Sequence, residues 1–352
     1  MITPLKIPGH KQEVCCPPQR TGRIALVMES LFLLAALGIL FAGSLEGRQE
    51  RITTLAINFV ALLLEAMPFM LLGAMAGGLI EVFIPRKWFD CLLNGRGRQA
   101  VLIGAGMGII FPVCECVIVP VVRRLLGKGV PFSAAIAYLL GGPVVNTIVA
   151  GSTAVAYQYD WNMVLMRLAC GYMIAVTVAF IMGFFFDRQS GLLLNRTVEG
   201  AGCCSCGHTT EQAMTFTAKI RLAVRYGRDD FFEVGRYLVI GCYIASFLRS
   251  MISINTFQSL AANPWLAILL MMVLAMILNL CSEADAFIAA SFRNVLPVPA
   301  QMAFMVLGPM LDIKLILMYL TVFPRKVIIT LSILTFSSVS LLMLLLDLWG
   351  GF

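Results

Sequence analysis

Residues 111–120 read FPVCECVIVP, and residues 281–290 read CSEADAFIAA. Each stretch interrupts a long apolar run with thiol and carboxylate side chains, and Pro112 and Pro120 flank the first polar cluster. A helix cannot pass smoothly through such a position, because proline lacks a backbone N–H and its ring clashes with the preceding turn. At membrane depth, irregular backbone is tolerated only where it is buried in protein or lines a cavity. The two stretches therefore predict two broken or re-entrant membrane segments.

The rest of the sequence is typical of an all-α polytopic membrane protein. Hydrophobic residues make up 60% of the 352 residues and charged residues only 13%, whereas soluble domains are about one quarter charged. Residues 24–42, 163–186 and 327–348 are each long enough to cross a hydrocarbon core of about 30 Å. The net charge of +7 is spread over loops, which fits orientation in a membrane better than nucleic-acid binding. We therefore expect a lipid bilayer as the environment, no nucleic-acid partner and no enzymatic activity.

Polar and helix-breaking landmarks occur twice along the chain. The matched pairs, 166 to 168 residues apart, are Glu65 with Glu233, Gly73 with Gly241, Cys114 with Cys281, Cys116 with Glu283, Gly142 and Pro143 with Gly308 and Pro309, and Asn146 with Asp312. One such match would mean little, but a shared offset among residues that are rare inside apolar helices indicates duplication. Internal repeats of this kind are expected of transporter folds.

The loop charges predict how the two repeats are oriented. If the N-terminus is cytoplasmic and each broken segment enters and leaves on one side, most loop lysines and arginines fall on the cytoplasmic side. If the broken segments cross fully, no orientation separates the charges well. The sequence therefore predicts two inverted repeats, each with three crossings and a re-entrant hairpin, after one leading helix. The predicted organisation is a cytoplasmic tail (1–23), a leading transmembrane helix and loop (24–51), the first membrane repeat (52–186), a cytoplasmic linker (187–230) and the second membrane repeat (231–352), in a bacterial inner membrane.

The first polar cluster offers soft ligands. Cys114 and Cys116 flank Glu115 at the predicted helix break, and thiolates select ions such as zinc, copper(I) or trivalent arsenic over sodium or calcium. The alternative is that these cysteines are small buried hydrophobes. Glu115 favours a functional site, since a carboxylate at membrane depth costs about 3 kcal/mol unless it faces a cavity or a partner.

The second polar cluster contains Cys281, Glu283 and Asp285. The alternative interpretation is a loop at the membrane interface, where charge is inexpensive. In the inverted arrangement both hairpin tips meet near the midplane, where such transporters bind substrate. These three residues therefore join the first cluster as candidate substrate ligands.

Two glycine–proline interruptions form a third pair of candidates. The stretch 141–146 reads GGPVVN, and the stretch 307–312 reads LGPMLD. Such breaks free backbone carbonyls that can line a site, and Asn146 and Asp312 add side-chain oxygens. The alternative is a kink with a hydrogen-bonded polar residue, and Lys314 is a candidate buried partner that would make Asp312 structural.

The predicted linker carries a fourth candidate, a metal site. Residues 203–208 read CCSCGH, so Cys203, Cys204, Cys206 and His208 supply four ligands suited to a soft metal ion. A cytoplasmic loop keeps such thiols reduced. The cluster is a candidate for metal delivery or sensing, with or without a partner protein, and the alternative is a disordered linker.

These motifs resemble a known family. The stretch 111–120, followed by Gly129-Val130-Pro131 and residues 142–146, is similar to the bacterial predicted-permease family that includes the trivalent organoarsenical efflux permeases. Residues 281–292, CSEADAFIAASF, are similar to the second signature of one branch of that family, and the resemblance extends from about Phe59 onward. It implies transport across the plasma membrane without ATP hydrolysis. Family members commonly carry Cys-Ser-Cys at the first site, and Glu115 in place of the serine suits a cation.

The sequence therefore predicts a permease for secondary transport, in the efflux direction, of a thiophilic metal ion or metalloid through a Cys/Glu site at the repeat interface. The substrate would be a small inorganic or organometalloid species. The alternative is a membrane thiol–disulfide electron carrier that uses Cys114 and Cys281, since such carriers also place a proline-flanked cysteine in each inverted repeat. Dithiol exchange needs no carboxylates, so Glu115, Glu283 and Asp285 favour transport.

Overall fold

The computed structural model describes residues 46–83, 97–186, 216–251, 264–293 and 295–349, and the regular elements in these ranges are all α-helices. In chain order they are α1 (Glu46–Phe83), α2 (Gly97–Ile110), α3 (Glu115–Gly127), α4 (Phe132–Gly141), α5 (Thr147–Ala156), α6 (Trp161–Phe185), α7 (Phe216–Met251), α8 (Pro264–Leu278), α9 (Ser282–Ser291), α10 (Val298–Leu307), α11 (Ile313–Tyr319) and α12 (Arg325–Leu348). The predicted all-α architecture is confirmed. The predicted leading helix (24–42) and the Cys/His cluster (203–208) lie outside the described residues.

Four helices in the described ranges are long and apolar enough to cross a membrane. The qualifying stretches are Thr53–Phe83 in α1, Trp161–Phe185 in α6, Phe216–Leu248 in α7 and Arg325–Leu348 in α12. Large apolar side chains on them point away from the protein, among them Leu64, Phe184 and Leu341. Such a surface is stable in contact with lipid but not with water. The chain is therefore a multi-pass membrane protein.

Among the described residues, the two halves of the chain each contain six helices in the same order, and the helices break at equivalent residues. Matched residues cap matched helices: Cys114 and Cys281 precede α3 and α9, Pro131 and Pro297 precede α4 and α10, Gly142 and Gly308 follow α4 and α10, and Asn146 and Asp312 precede α5 and α11. This agreement supports duplication. The inversion of one repeat relative to the other stays a prediction.

The predicted helix breaks differ in where they fall. Pro112, Pro143 and Pro309 lie in irregular or turn segments between helices. Pro120 does not, because α3 runs through it, so the predicted break there is wrong. Proline removes only one hydrogen bond, here the one to the carbonyl of Cys116, and fully buried neighbours hold the rest of the turn in place.

Helix α7 begins at Phe216, inside the segment predicted as a polar linker, and packs along α1. Small residues allow this close approach: a Cβ on Gly227 would lie 3.0 Å from the carbonyl oxygen of Ala74. The halves also exchange contacts at their broken segments, since α3 packs on α11 and α9 packs on α5. This cross-packing brings the two signature stretches to the centre of the protein.

Candidate functional site

A small cavity lies at the N-terminal end of α3, where the two signature stretches meet. Its polar lining consists of Glu65, Cys114, Glu115, Cys116, Cys242, Cys281, Glu283 and Lys314, and its apolar lining of Leu62, Ala66 and Phe69 from α1. The free space is small and admits about one water molecule or one ion. Five of the eight predicted substrate ligands therefore share one cavity.

A buried group of charged residues beside this cavity joins the two halves of the chain. Lys314 Nζ lies 3.2 Å from Glu115 Oε1, 3.5 Å from Asp312 Oδ2 and 3.5 Å from the backbone oxygen of Asn279. All three charged side chains are at most 4% exposed. Because only one oxygen of Glu115 is used in this way, its Oε2 is buried without a hydrogen-bond partner in the described structure.

Asp312 and Asn146 occupy equivalent positions but act mainly as helix caps. Asp312 Oδ1 accepts a hydrogen bond from the Leu315 amide at 2.6 Å, and Asn146 Oδ1 accepts one from the Ile148 amide at 2.7 Å. A side-chain oxygen at this position satisfies an otherwise unpaired N–H of the first turn. Neither residue lines the cavity. The hydrogen-bonded alternative for these two residues is therefore the one that the contacts favour.

A second buried charge cluster surrounds the start of α9. Arg167, in α6, has no exposed surface and donates to Thr153 Oγ1 at 2.7 Å, to the backbone oxygen of Ser282 at 2.8 Å and to that of Met305 at 3.1 Å. Asp285 is 1% exposed, and its Oδ2 lacks a hydrogen-bond partner among the described groups. Asp285 lies outside the cavity lining.

Gly308 packs directly against this second cluster. A Cβ at position 308 would lie 2.6 Å from Asp285 Oδ2, which is closer than van der Waals contact permits. The glycine therefore has a packing role beside the buried carboxylate in addition to ending α10.

Ion pairs anchor the other end of α3 to the second half. Arg124 Nε lies 2.8 Å from Asp230 Oδ2, and Arg123 Nη1 lies 2.6 Å from Glu233 Oε2 and 3.9 Å from Asp230 Oδ1. The Arg124 guanidinium also stacks over the Tyr226 ring, 4.9 Å from its centroid. Helix α3 is thus held at both ends by residues from the second half of the chain.

In the described residues the cysteine thiols are free and no metal centre is preformed. Cys114, Cys116, Cys170, Cys242 and Cys281 are all unpaired cysteines. Within the part of the chain that the structure describes, no three histidine, cysteine or acidic side chains converge closely enough to hold a metal ion as they stand. For three or more of the described cavity side chains to hold one metal ion, the cavity walls would have to move inward.

For several residues of the site, the sequence gives only a weak functional signal or none. Cys242, in α7, was not singled out, and Glu65 was noted only as a repeat landmark. Arg167 was overlooked within an apolar span, although a lone charge at membrane depth is a signal of function or of a buried partner. Lys314 was expected to pair with Asp312, and it also contacts Glu115.

Comparison with known proteins identifies the family. Residues 52–348 match the family described as predicted permease. The chain is 35% identical over 268 residues to the UPF0718 protein YcgR of Bacillus subtilis, covering 76% of this chain and 88% of that protein. It is 36% identical over 271 residues to a putative two-component membrane permease complex subunit of Streptococcus mutans, covering 77% and 87%.

A more distant match is the UPF0718 protein YraQ of Escherichia coli, 28% identical over 108 residues, which are 31% of each chain. No solved structure matches the chain. The family match spans the described helices from α1 to α12 and includes both signature stretches, so the chain belongs to the predicted permease family.

Proposed function

We propose that this permease exports a thiophilic metal ion or metalloid by secondary transport through the cavity at the N-terminal end of α3. The observation that carries the proposal is the meeting of the two signature stretches there: Cys114, Glu115 and Cys116 line the same cavity as Cys281 and Glu283. Sulfur ligands favour soft ions, and the unpartnered oxygen of Glu115 favours a positively charged species.

Transport by this route requires the cavity to change shape. The described thiols and carboxylates do not form a closed ligand set as they stand, and broken helices are the elements that transporters move or use to bind substrate near the midplane. Inward movement of α3 and α9 would bring the ligands together around the ion. The sequence contains no Gly-x-x-x-x-Gly-Lys-Ser/Thr phosphate loop, which supports transport without ATP hydrolysis.

The test removes single sulfur ligands. Cys114→Ser and Cys116→Ser are expected to lower export at least tenfold, because a site with few ligands loses most of its affinity for a soft ion when a thiolate becomes a hydroxyl. Cys170→Ser is the matched control, since Cys170 is buried in α6 but does not line the cavity. The measurement is cell content of zinc, cadmium, copper, arsenite and methylarsenite in a strain that lacks the gene and expresses each variant. Unchanged export by both cavity variants would contradict the proposal.

The electron carrier remains a second candidate, because Cys114 and Cys281 line the same cavity. Disulfide exchange between them would require both sulfurs to approach to bonding distance. Two results together would favour the carrier over the transporter. A Cys114–Cys281 disulfide would be trapped in cells, and Glu115→Gln would keep the thiol-oxidation phenotype of the wild type.

We further propose that the N-terminus is cytoplasmic and that the chain works with a partner protein. The Streptococcus mutans relative is named as a complex subunit, which supports a membrane partner. The candidate soft-metal ligands at residues 203–208, outside the described residues, would suit exchange of metal with such a partner. Co-purification of one defined protein with the tagged full chain in gentle detergent is the expected result.

A further inference from the structure

Lys314 occupies a position that a cationic substrate would also favour. Its ammonium group is 3.2 Å from Glu115 Oε1 and 3.5 Å from both Asp312 Oδ2 and the Asn279 backbone oxygen. Charge-assisted N–H···O contacts are usually about 2.7–2.9 Å, so these three are long. The ammonium is therefore surrounded by three oxygens, two of which belong to carboxylates.

Arg167, the buried cation beside the start of α9, is held differently from Lys314. Arg167 donates to a hydroxyl and two backbone oxygens at 2.7–3.1 Å. Those acceptors are fixed parts of helices, and an entering cation has little reason to displace the guanidinium from them. Arg167 thus braces the start of α9, whereas Lys314 contacts carboxylates that can accept another cation.

The cavity next to Lys314 provides the space for such an exchange. Glu115 and Lys314 both line it, together with Cys114 and Cys116. Glu115 Oε2 is buried without a partner, and a buried acceptor in that state favours the arrival of a positive group. A cation bound there would share Glu115 with Lys314 and repel the ammonium.

We infer that Lys314 is a tethered cation that neutralises Glu115 when the permease is empty and is displaced toward Asp312 and Asn279 when a cationic substrate binds. This inference rests on the proposed function and specifies its substrate class as a cation. In the empty protein the ammonium offsets the charge of Glu115, while Asp312 also accepts a hydrogen bond from the Leu315 amide, so the unloaded form can change conformation. Without the ammonium, Glu115 has no counter-charge in the empty form, and only the loaded form can change conformation.

The experiment separates net transport from exchange, using Zn²⁺ and Cd²⁺ as probes in proteoliposomes of the purified full chain. Lys314→Gln is expected to reduce net flux into metal-free liposomes at least tenfold while exchange between metal-loaded compartments stays within threefold of wild type. Its Zn²⁺ affinity in detergent is expected to rise several-fold, because no ammonium competes. Lys314→Arg keeps the charge and is expected to retain net flux better than Lys314→Gln. Lys326→Gln, at an exposed lysine, is the matched control and should behave as wild type.

A second variant covers the case in which Lys314→Gln does not fold. Lys314→Met combined with Asp312→Asn keeps the net charge of the cluster but leaves Glu115 without its counter-charge. Asparagine can still cap α11, so this variant should fold and show the same loss of net flux with exchange retained. Equal loss of exchange and net flux in a folded variant, or unchanged net flux in Lys314→Gln, would overturn the inference. Absence of Zn²⁺ and Cd²⁺ flux in the wild-type protein would also overturn this inference, while export of copper, arsenite or methylarsenite by the same protein would leave the proposed function standing.

Discussion

Asp230 and its neighbour Asp229 allow the ion pairs at the C-terminal end of α3 to be tested against a near-identical control. The Asp230 side chain is 3% exposed and lies 2.8 Å from Arg124 and 3.9 Å from Arg123. The Asp229 side chain is 56% exposed and pairs with Arg228 at 3.0 Å. The two aspartates are adjacent in one helix and differ mainly in burial.

The expected magnitude follows from the distances. Two unit charges 2.8 Å apart attract by about 6 kcal/mol at an effective dielectric constant of 20. Desolvation of the buried charges can cancel such an attraction, so the expected loss is set by the cost of breaking a buried pair, about 3–5 kcal/mol. Asp230→Asn should therefore lower the free energy of unfolding by about 3 kcal/mol, which lies in the range for removing one partner of a buried pair. Asp229→Asn should cost less than about 0.5 kcal/mol, because exposed pairs contribute little.

The assay is thermal unfolding of the purified protein in detergent. With an unfolding entropy of about 2.1 cal/mol/K per residue over 352 residues, a loss of about 3 kcal/mol corresponds to a fall in apparent melting temperature of roughly 4 °C. Asp229→Asn should shift it by roughly 1 °C or less. Adding Arg124→Gln to Asp230→Asn should cost less than the sum of the single changes, since both act on one pair. Equal and small shifts for the two aspartate variants would refute the reasoning.

Three further predictions address the second cluster, helix packing and topology. Arg167→Gln removes the hydrogen bonds to two backbone carbonyls and should cost about 3–6 kcal/mol, because each bond from a charged donor contributes about 1.5–3 kcal/mol. The expected result is loss of the monodisperse peak on size-exclusion chromatography, and a peak of wild-type height would argue against Arg167 as a brace of α9. Gly104→Ala places a Cβ 2.5 Å from a carbonyl oxygen of α4 and should lower the free energy of unfolding by about 1–3 kcal/mol. Gly151→Ala has nothing within 4 Å of the added Cβ and should be neutral. Equal effects of the two substitutions would contradict the close packing of α2 on α4. Reporter fusions after Gly191 and Phe352 should report opposite compartments, and a shared compartment would exclude the predicted hairpin topology.

Local chemistry made much of the helix pattern predictable from the sequence. Glycine, proline and capping residues act within a few positions of themselves, so the breaks at Gly142 and Gly308 and the caps at Asn146 and Asp312 follow from short stretches. Pro120 was mispredicted because a single proline weakens a helix by an amount that buried packing can exceed, and burial is not readable from the stretch itself.

The long-range pairs were harder to predict. Glu115 and Lys314 are 199 residues apart, and nothing local to either residue identifies the other. The repeat indicates two polar clusters, one in each half of the chain. It does not indicate that a cationic side chain from the opposite half contacts each cluster, Lys314 at the first and Arg167 at the second. Arg167 shows the same limit: its partners are backbone oxygens of Ser282 and Met305, which carry no signature in the sequence.

The reciprocal placement of Lys314 and Arg167 has a consequence for biosynthesis. When the first half of the chain has left the ribosome, Glu115 still lacks a counter-charge that lies 199 residues further along. At 5–20 residues per second, its synthesis takes roughly 10–40 s. During that interval a nascent chain with unpaired charges in apolar segments must be retained by the insertion machinery or held at the lipid interface. Slowing elongation between the halves should therefore increase degradation of the nascent protein, even though the finished sequence is unchanged.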